Sequence, residues 1–305
     1  LSNGAYSAKL INKKDANKVW EVRKAGLGLL MGRVGPKKAV AVIEDAAVPV
    51  DKLYLYYQEI KLLMQSYGVD AVYYGHASVG LIHIRPMLDL SKRKDQKIML
   101  SIAKKASRII KKYHGSLSGE HGDGRVRASF LKEQFGKVVY QYFVDLKHTF
   151  DPNNLFNPGV ILSDKSILEN LRPVVEQQEL ITAFNWKSDL SFYYAAEKCS
   201  GAGVCRKSTG GIMCPSYRAT RSEEFSTRGR ANLLRKALSS EDPIKSLKNS
   251  ELKEALDLCL SCKACKNECP ANVDMARLKS EYLFQIKSVG NYVKSWHIKN
   301  LGNIL

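Results

Sequence analysis

Residues 259–270 read CLSCKACKNECP. Cys259, Cys262, Cys265 and Cys269, with Pro270 directly behind the last, form the C-x2-C-x2-C-x3-C-P pattern that wraps a cubane iron–sulfur cluster. Residues 199–205 read CSGAGVC, with Cys199 and Cys205 at the outer positions of the same pattern but Ala202 in the middle. Cys214 follows, with its own Pro215. Around these runs the second half of the chain carries almost no strand signal, so it reads as a small helical domain organised around clusters.

In chains with two such runs, the first three cysteines hold one cluster and the fourth, before proline, reaches across to the other. On that rule Cys259, Cys262 and Cys265 join Cys214 around a [4Fe–4S] cluster. Cys199, Cys205 and Cys269 remain for a second, which is either [3Fe–4S] or a [4Fe–4S] whose last iron takes water or a non-cysteine ligand. Clusters of different type have different potentials, which gives electron flow a direction. The competing reading is that Ala202 marks a decayed site and the runs bind structural zinc, whose ribbons also use C-x2-C pairs. Four evenly spaced cysteines before proline suit tetrahedral zinc poorly, and iron–sulfur is favoured. Arg228 and Arg230, at the start of the helical TRGRANLLRKAL, read first as a solvated helix end and second as charges that tune a cluster.

The chain has 305 residues, enough for two domains with their own cores. No apolar run reaches the roughly 18 residues of a membrane span, and the start shows no signal-peptide pattern. It begins LSNGAYSAKL, without Met, and is expected to be a piece of a longer polypeptide. All seven cysteines lie between 199 and 269. That clustering argues for metal chemistry in a reducing compartment rather than a disulfide framework, hence a cytoplasmic location. The net charge of +18 attracts nucleic acid, anionic lipid or acidic partners without choosing among them. With no arginine-rich tract or basic stripe interleaved with aromatics, nucleic acid is not expected as a partner. Peripheral contact with the inner face of a membrane stays open.

The first half alternates strand and helix signals. AVAVIEDAAVPV (39–50) is a β-branched apolar run ended by Pro49, and DKLYLYYQEIKLLMQSYGV behind it has helical spacing. DAVYYGHASVGLIHIRPML (70–88) reads as strand, glycine-containing turn, strand. A long amphipathic helix carries Ile98, Ile102, Ala106, Ile109 and Tyr113. After the loop HGSLSGEHGDGR a further helix covers about 129–149 and ends in the turn-rich DPNNLFNPG. This order implies an α+β fold, an antiparallel sheet with helices on one face. The expected division is a first domain over 1–162, a linker over 163–190 and the all-α iron–sulfur domain over 191–305.

His76 and His83 form an H-x6-H pair across the 70–88 turn, where two arms of a hairpin can aim two imidazoles at one metal. Glu120 and His121 lie in the glycine-flanked SGEHGDG, which lets backbone approach a ligand and offers a metal ligand beside a base. That stretch is no dinucleotide fingerprint, because no suitable strand leads into it.

HASVGLIHIRPMLDL, HGSLSGEHGDGR and FDPNNLFNPGVIL resemble the C-terminal cap domain of FAD-linked oxidases of the D-lactate and D-2-hydroxyglutarate dehydrogenase family. The two cysteine segments resemble the ferredoxin-like part fused behind that domain in long bacterial members, so the likeness covers nearly the whole chain in order. It implies oxidation of a small D-2-hydroxy acid, D-lactate first, with electrons passing through FAD and the clusters to a quinone or cytochrome-type acceptor. His76, His83 and Glu120 would hold a divalent metal (Zn, Fe or Mn), and His121 would take the hydroxyl proton. Arg23 matches the family's carboxylate-binding arginine, Arg85 would be a second anion clamp, and Asn157 would lie near the flavin. The family's usual H-x-G-D-G-N-L-H is altered here, with Ser78, Val79 and Leu81 in place of Gly, Asp and Asn. FAD itself would be held mainly by a domain upstream of this chain. The rival functions are an electron-transfer module whose oxidase half is inactive and, on charge alone, a zinc-containing nucleic-acid binder. His114, His148 and His297 match nothing and read as ordinary residues.

Overall fold

A computed structural model describes residues 11–31, 33–171 and 178–287; His297 and the two chain ends lie outside them. The chain divides into two compact units, Pro36–Val174 and a second made of Leu1–Gly35 with Val175–Leu305. Helix α1 (Lys13–Met31) therefore groups with the second unit, whereas the sequence reading put it in the first.

The first unit is an antiparallel sheet with helices. Its hub is β4 (Leu81–Leu88), paired along its length with β3 (Ala71–His76). Two two-residue strands, β1 (Lys38–Ala39) and β2 (Ala46–Ala47), also pair with β4. The run 39–50 is thus not one strand. Between β1 and β2 the backbone leaves the ladder and brings Glu44 and Asp45, both buried, to the site described below. Pro86 is tolerated in the hub strand because its carbonyl accepts from Val40 N (2.9 Å), on the edge where the partner strands are short and interrupted.

Helices α2 (Leu53–Ser66) and α3 (Arg93–Lys112) lie where the 3.6 periodicity predicts them. They bury Tyr56, Ile60, Met64, Ile102, Ala106 and Ile110 with Ile84 and Leu88 of the hub strand in one core. Helix α4 (Ala128–Phe150) is interrupted at Gly136, whose φ of 80° is non-helical. Its N-terminal turn buries Phe130 and Leu131, while Val138, Tyr142, Leu146 and Phe150 are exposed.

The second unit is all-helical among the described residues beyond 178. It contains α5 (Phe192–Glu197), α6 (Pro215–Thr220), α7 (Thr227–Leu238), α8 (Pro243–Leu247), α9 (Ser250–Asp257), α10 (Ala264–Glu268) and α11 (Met275–Lys287). Polar caps start four of these: Ser191 Oγ accepts from Tyr194 N, Ser226 Oγ from Gly229 N, Asp242 from Lys245 N, and Asn249 from Glu251 N and Leu252 N. The core gathers Leu234, Leu247, Leu256, Leu278 and Tyr282 together with Cys205, Cys214 and Cys265.

The stretch 163–190 divides between the units. Ile167 packs into the first core and Trp186 into the second. Buried Glu281 receives the amides of Ala183 and Phe184 and the Trp186 indole N–H, which fixes the end of that stretch on α11. Among the described residues no helix is long and apolar enough to cross a membrane.

Candidate functional site

The hairpin register places the two histidines. Tyr74 faces His83 and His76 faces Leu81, so His76 and His83 are diagonal neighbours on one face of the β3–β4 pair. Their ring centroids lie 5.4 Å apart. The altered turn still closes: Ala77–Val79 forms one 3-10 turn, and Gly80 ends it with φ 71° and ψ 19°. A Cβ on Gly80 would meet Val48 O at 1.8 Å, so only glycine fits there.

Asp45, fully buried, organises the opposite wall. Its carboxylate accepts from Ser118 Oγ (2.5 Å), Gly119 N (3.0 Å), Glu120 N (3.2 Å) and His121 N (2.8 Å). Burial pushes this carboxyl up, but the bonds from Ser118 and the His121 and Glu120 amides outweigh it and hold it below the usual value. The loop is thereby fixed with Glu120 and His121 facing the hairpin.

Glu120 Oε1 is the point of convergence. It lies 3.2 Å from His76 Nε2, 3.2 Å from His83 Nε2 and 3.5 Å from His121 Nε2. The tautomers follow from the other ring nitrogens. His83 Nδ1 is 2.5 Å from the Glu44 carbonyl, which can only accept, so Nδ1 carries the proton and Nε2 presents a lone pair. His121 Nδ1 stands 3.0 Å from Glu44 Oε1, so in the neutral ring the proton lies on Nδ1 and Nε2 is the free donor. Lone pairs converging on a carboxylate oxygen repel unless a proton or a cation joins them, so the donor set fits a divalent cation. Asp45, His83, Glu120 and His121 offer ligand atoms within 4.8 Å of one another. Asp45 is already saturated by loop amides, and His76 is the better third donor.

Arg85 departs from its expected role. Its Nη2 donates to Glu44 Oε2 (2.8 Å) and its Nε to Tyr74 OH (2.9 Å), and it is buried. A guanidinium held on an internal carboxylate does not clamp a substrate anion. Instead it fixes Glu44, which orients His121. Glu44, Asp45 and Arg127 were missed by the sequence reading. Arg127, also buried, lies 4.0 Å from Glu44 Oε1 and 3.9 Å from Asp45 Oδ2. The signal that could have found Glu44 and Asp45 was the acidic pair inside an apolar run. Arg23 is on α1, in the other unit, 5.8 Å from the centroid of the Trp20 ring. Asn157 sits at positive φ (47°) in an exposed turn, where its carbonyl accepts from Val160 N.

The cysteines line two cavities. Cys214, Cys259, Cys262 and Cys265 border one. Cys199, Cys205 and Cys269 border another, together with residues 200–204. Met213 and Thr227 line both, so the cavities share a wall. Ser261 and Lys263 at positive φ (52° and 61°) turn the 259–265 loop inward. Glu268 ties the cysteine runs together by accepting from Ile212 N (2.7 Å) and Met213 N (3.2 Å). Burial raises the thiols of Cys199 and Cys205 and pushes Cys265 up to about 11. At Cys214 burial is outweighed by hydrogen bonds from Ser216 and the Tyr217 amide and by the Arg230 charge, so its thiol lies below the usual value. Four soft donors around one cavity fit an iron–sulfur cluster.

Comparison with known proteins agrees with both halves. The family described as FAD linked oxidases, C-terminal domain, matches residues 3–161, and the 4Fe-4S dicluster domain matches residues 195–273. D-2-hydroxyglutarate dehydrogenases of Pseudomonas putida and Escherichia coli are each 29% identical, over 87% of this chain and 30% of their own length. D-lactate dehydrogenase of Archaeoglobus fulgidus is 32% identical over 49% of this chain and 32% of its own. The chain thus spans about 30% of the length of the curated relatives it matches over most of its residues. With the family match covering more than half of its residues, the chain belongs to the C-terminal domain family of FAD linked oxidases, here joined to a dicluster iron–sulfur domain.

Proposed function

We propose that the chain is the substrate-side and electron-exit portion of an FAD-linked dehydrogenase that oxidises a D-2-hydroxy acid. The observation that carries this reading is the convergence of three imidazole nitrogens on Glu120 Oε1. His76, His83 and Glu120 would hold a divalent metal. When bound, it supplies Lewis acidity that lowers the pKa of a substrate hydroxyl. His121 Nε2 would accept the hydroxyl proton, and Glu44 at Nδ1 would stabilise the resulting imidazolium. Arg85 and Arg127 hold Glu44 in place. FAD, bound by the parent polypeptide, supplies the hydride acceptor, and the clusters supply one-electron carriers.

Cys214, Cys259, Cys262 and Cys265 would hold a [4Fe–4S] cluster, and Cys199, Cys205 and Cys269 the other. The three-cysteine cavity is lined by no carboxylate or imidazole among the described residues, which favours [3Fe–4S] or a water-completed cluster. Electrons would leave to a quinone or cytochrome-type acceptor. Arg23 remains the proposed substrate-carboxylate residue and Asn157 the residue toward the flavin.

The substrate is the narrower part of the proposal. D-lactate is the expectation from the sequence, but the relatives matched over most of the chain are named for D-2-hydroxyglutarate. We take the shared D-2-hydroxy-acid group as the recognised chemistry. The test is turnover of both acids by the parent polypeptide with an artificial acceptor, beside His121→Asn. Loss of kcat by at least about 10²-fold is expected for a general base. A variant within threefold of the parent would remove His121 from the chemistry.

A further inference from the structure

Arg230 has no exposed surface, and it is one of the largest side chains so placed. Its Nε donates to the Ala255 carbonyl (2.5 Å) and its Nη2 to Ser216 Oγ (2.8 Å), while Nη1 lies 3.5 Å from Cys214 Sγ. None of these partners is a carboxylate. A guanidinium does not shed its proton in a protein, so the charge cannot be removed by titration. A buried cation without a counter-ion is among the costliest placements in a fold. This one borders the four-cysteine cavity.

Arg228 shows what the same helix does with a charge that needs no ligand. It borders the three-cysteine cavity, but its Nε and Nη2 grip Glu223 at 2.7 Å and 3.0 Å. The helical turn that carries the two arginines packs closely on the segment before it: a Cβ on Gly229, between them, would meet Glu223 O at 2.1 Å. One cavity is therefore flanked by a neutralised pair and the other by an uncompensated cation.

We propose that Arg230 is the built-in counter-charge of a cluster held by Cys214, Cys259, Cys262 and Cys265, and that it raises that cluster's reduction potential. This rests on the reading that these cysteines hold a cluster. A cubane with four thiolates is an anion when oxidised and gains one further negative charge when it takes up an electron. A fixed cation beside one of its sulfurs stabilises the reduced form more. No bond is made or broken, and no proton moves. Electron arrival at the four-cysteine site is thereby favoured. Arg230 acts through the ligand Cys214 and is a tuning residue rather than a catalytic one.

The experiment is an EPR-monitored redox titration of the full chain, anaerobically loaded with iron and sulfide, for the parent, Arg230→Gln and Arg230→Lys. The expected result is that Arg230→Gln disfavours one-electron reduction of the four-cysteine cluster at least tenfold, which is 59 mV. Arg230→Lys should keep most of the parent value, and the other cluster should not move. Equal potentials in parent and Gln variant would overturn the proposal, as would equal shifts of both clusters. If Arg230→Gln fails to hold iron, a loaded Lys variant supports the charge role, and loss of iron from both variants overturns it in favour of packing. Absence of iron and sulfide from the parent itself would instead sink the cluster reading.

Discussion

The two candidate centres are electrostatic opposites. Around the histidines, four carboxylates (Glu44, Asp45, Glu120 and Asp123) meet two guanidinium groups (Arg85 and Arg127), so the site carries surplus negative charge. Around the four cysteines, a fully buried Arg230 has no carboxylate among its hydrogen-bond partners. Glu44, Asp45 and Arg230 are buried, where an unbalanced charge is costly and is relieved by a group of the opposite sign. The first arrangement suits a cation and the second an anionic cluster. The two are also built differently. The imidazoles stand on a hairpin whose register places them, with the facing loop pinned by one buried carboxylate. The thiolates stand on loops turned inward by positive-φ residues and stapled together by Glu268.

That contrast can be broken experimentally. The largest effect is expected from Cys265→Ser, which removes a buried donor from the four-cysteine cavity alone. With EPR recorded on both the oxidised and the dithionite-reduced protein, it should abolish the signal of one cluster and leave the other, whereas Cys205→Ser should do the reverse. Loss of both signals from either variant would show that the cavities do not load independently.

Next in size is Asp45→Asn. It leaves His76, His83 and Glu120 intact but weakens the carboxylate that holds the Glu120 loop. Divalent-metal affinity, measured by competition with a chromogenic chelator, should fall about 10–100-fold, as for other groups that orient ligands. Unchanged affinity would mean that the loop is held from elsewhere.

A smaller effect is expected from Gly80→Ala, which sets positive φ against a backbone oxygen at 1.8 Å. A loss on the order of 1–3 kcal/mol should appear in the urea midpoint. Gly68→Ala, at a φ of 62° in open space, should cost less. Equal losses would show that the Val48 contact relaxes.

The smallest concerns acid. Lys147 and the amides of Leu155 and Phe156 hold the Asp151 carboxyl down to about 2, against an ordinary value of 3.8. A carboxyl depressed in the folded state contributes stability above its ordinary value and loses it as the pH falls toward its folded one. The carboxyl carbon shift of Asp151 should therefore titrate near 2. A midpoint at the ordinary value would show the turn before Asn157 to be loose.

How much of this was readable in advance follows from how far apart the partners lie in the chain. The grouping of seven cysteines into four and three is carried by spacings of a few residues and the prolines behind Cys214 and Cys269, and the structure brings the same sets to two cavities. The H-x6-H pair was readable because period-2 alternation across a short turn leaves one register that keeps both imidazoles on the same face. Glu44 and Asp45 were hidden inside an apolar run that resembled a strand. Their partners lie 39 to 77 residues away, at His83, Arg85 and the loop ending in His121. Arg85 looked available for a substrate for the same reason, since nothing near it in the chain announces Glu44. Arg230 looked like a solvated helix end because its neighbours Arg228 and Arg235 are polar too, yet α7 packs that side against Ala255 and Ser216.

By itself the sequence determined the donor types, their local spacing, the helical and strand periods, and the family to which they belong. Those depend on chain geometry over one turn or one hairpin, where few arrangements exist. Only the tertiary structure decided which charges neutralise each other and which are left waiting for a ligand. Pairing of buried charges is set by packing between segments far apart in the chain, and no local pattern encodes the distance at which two such segments meet.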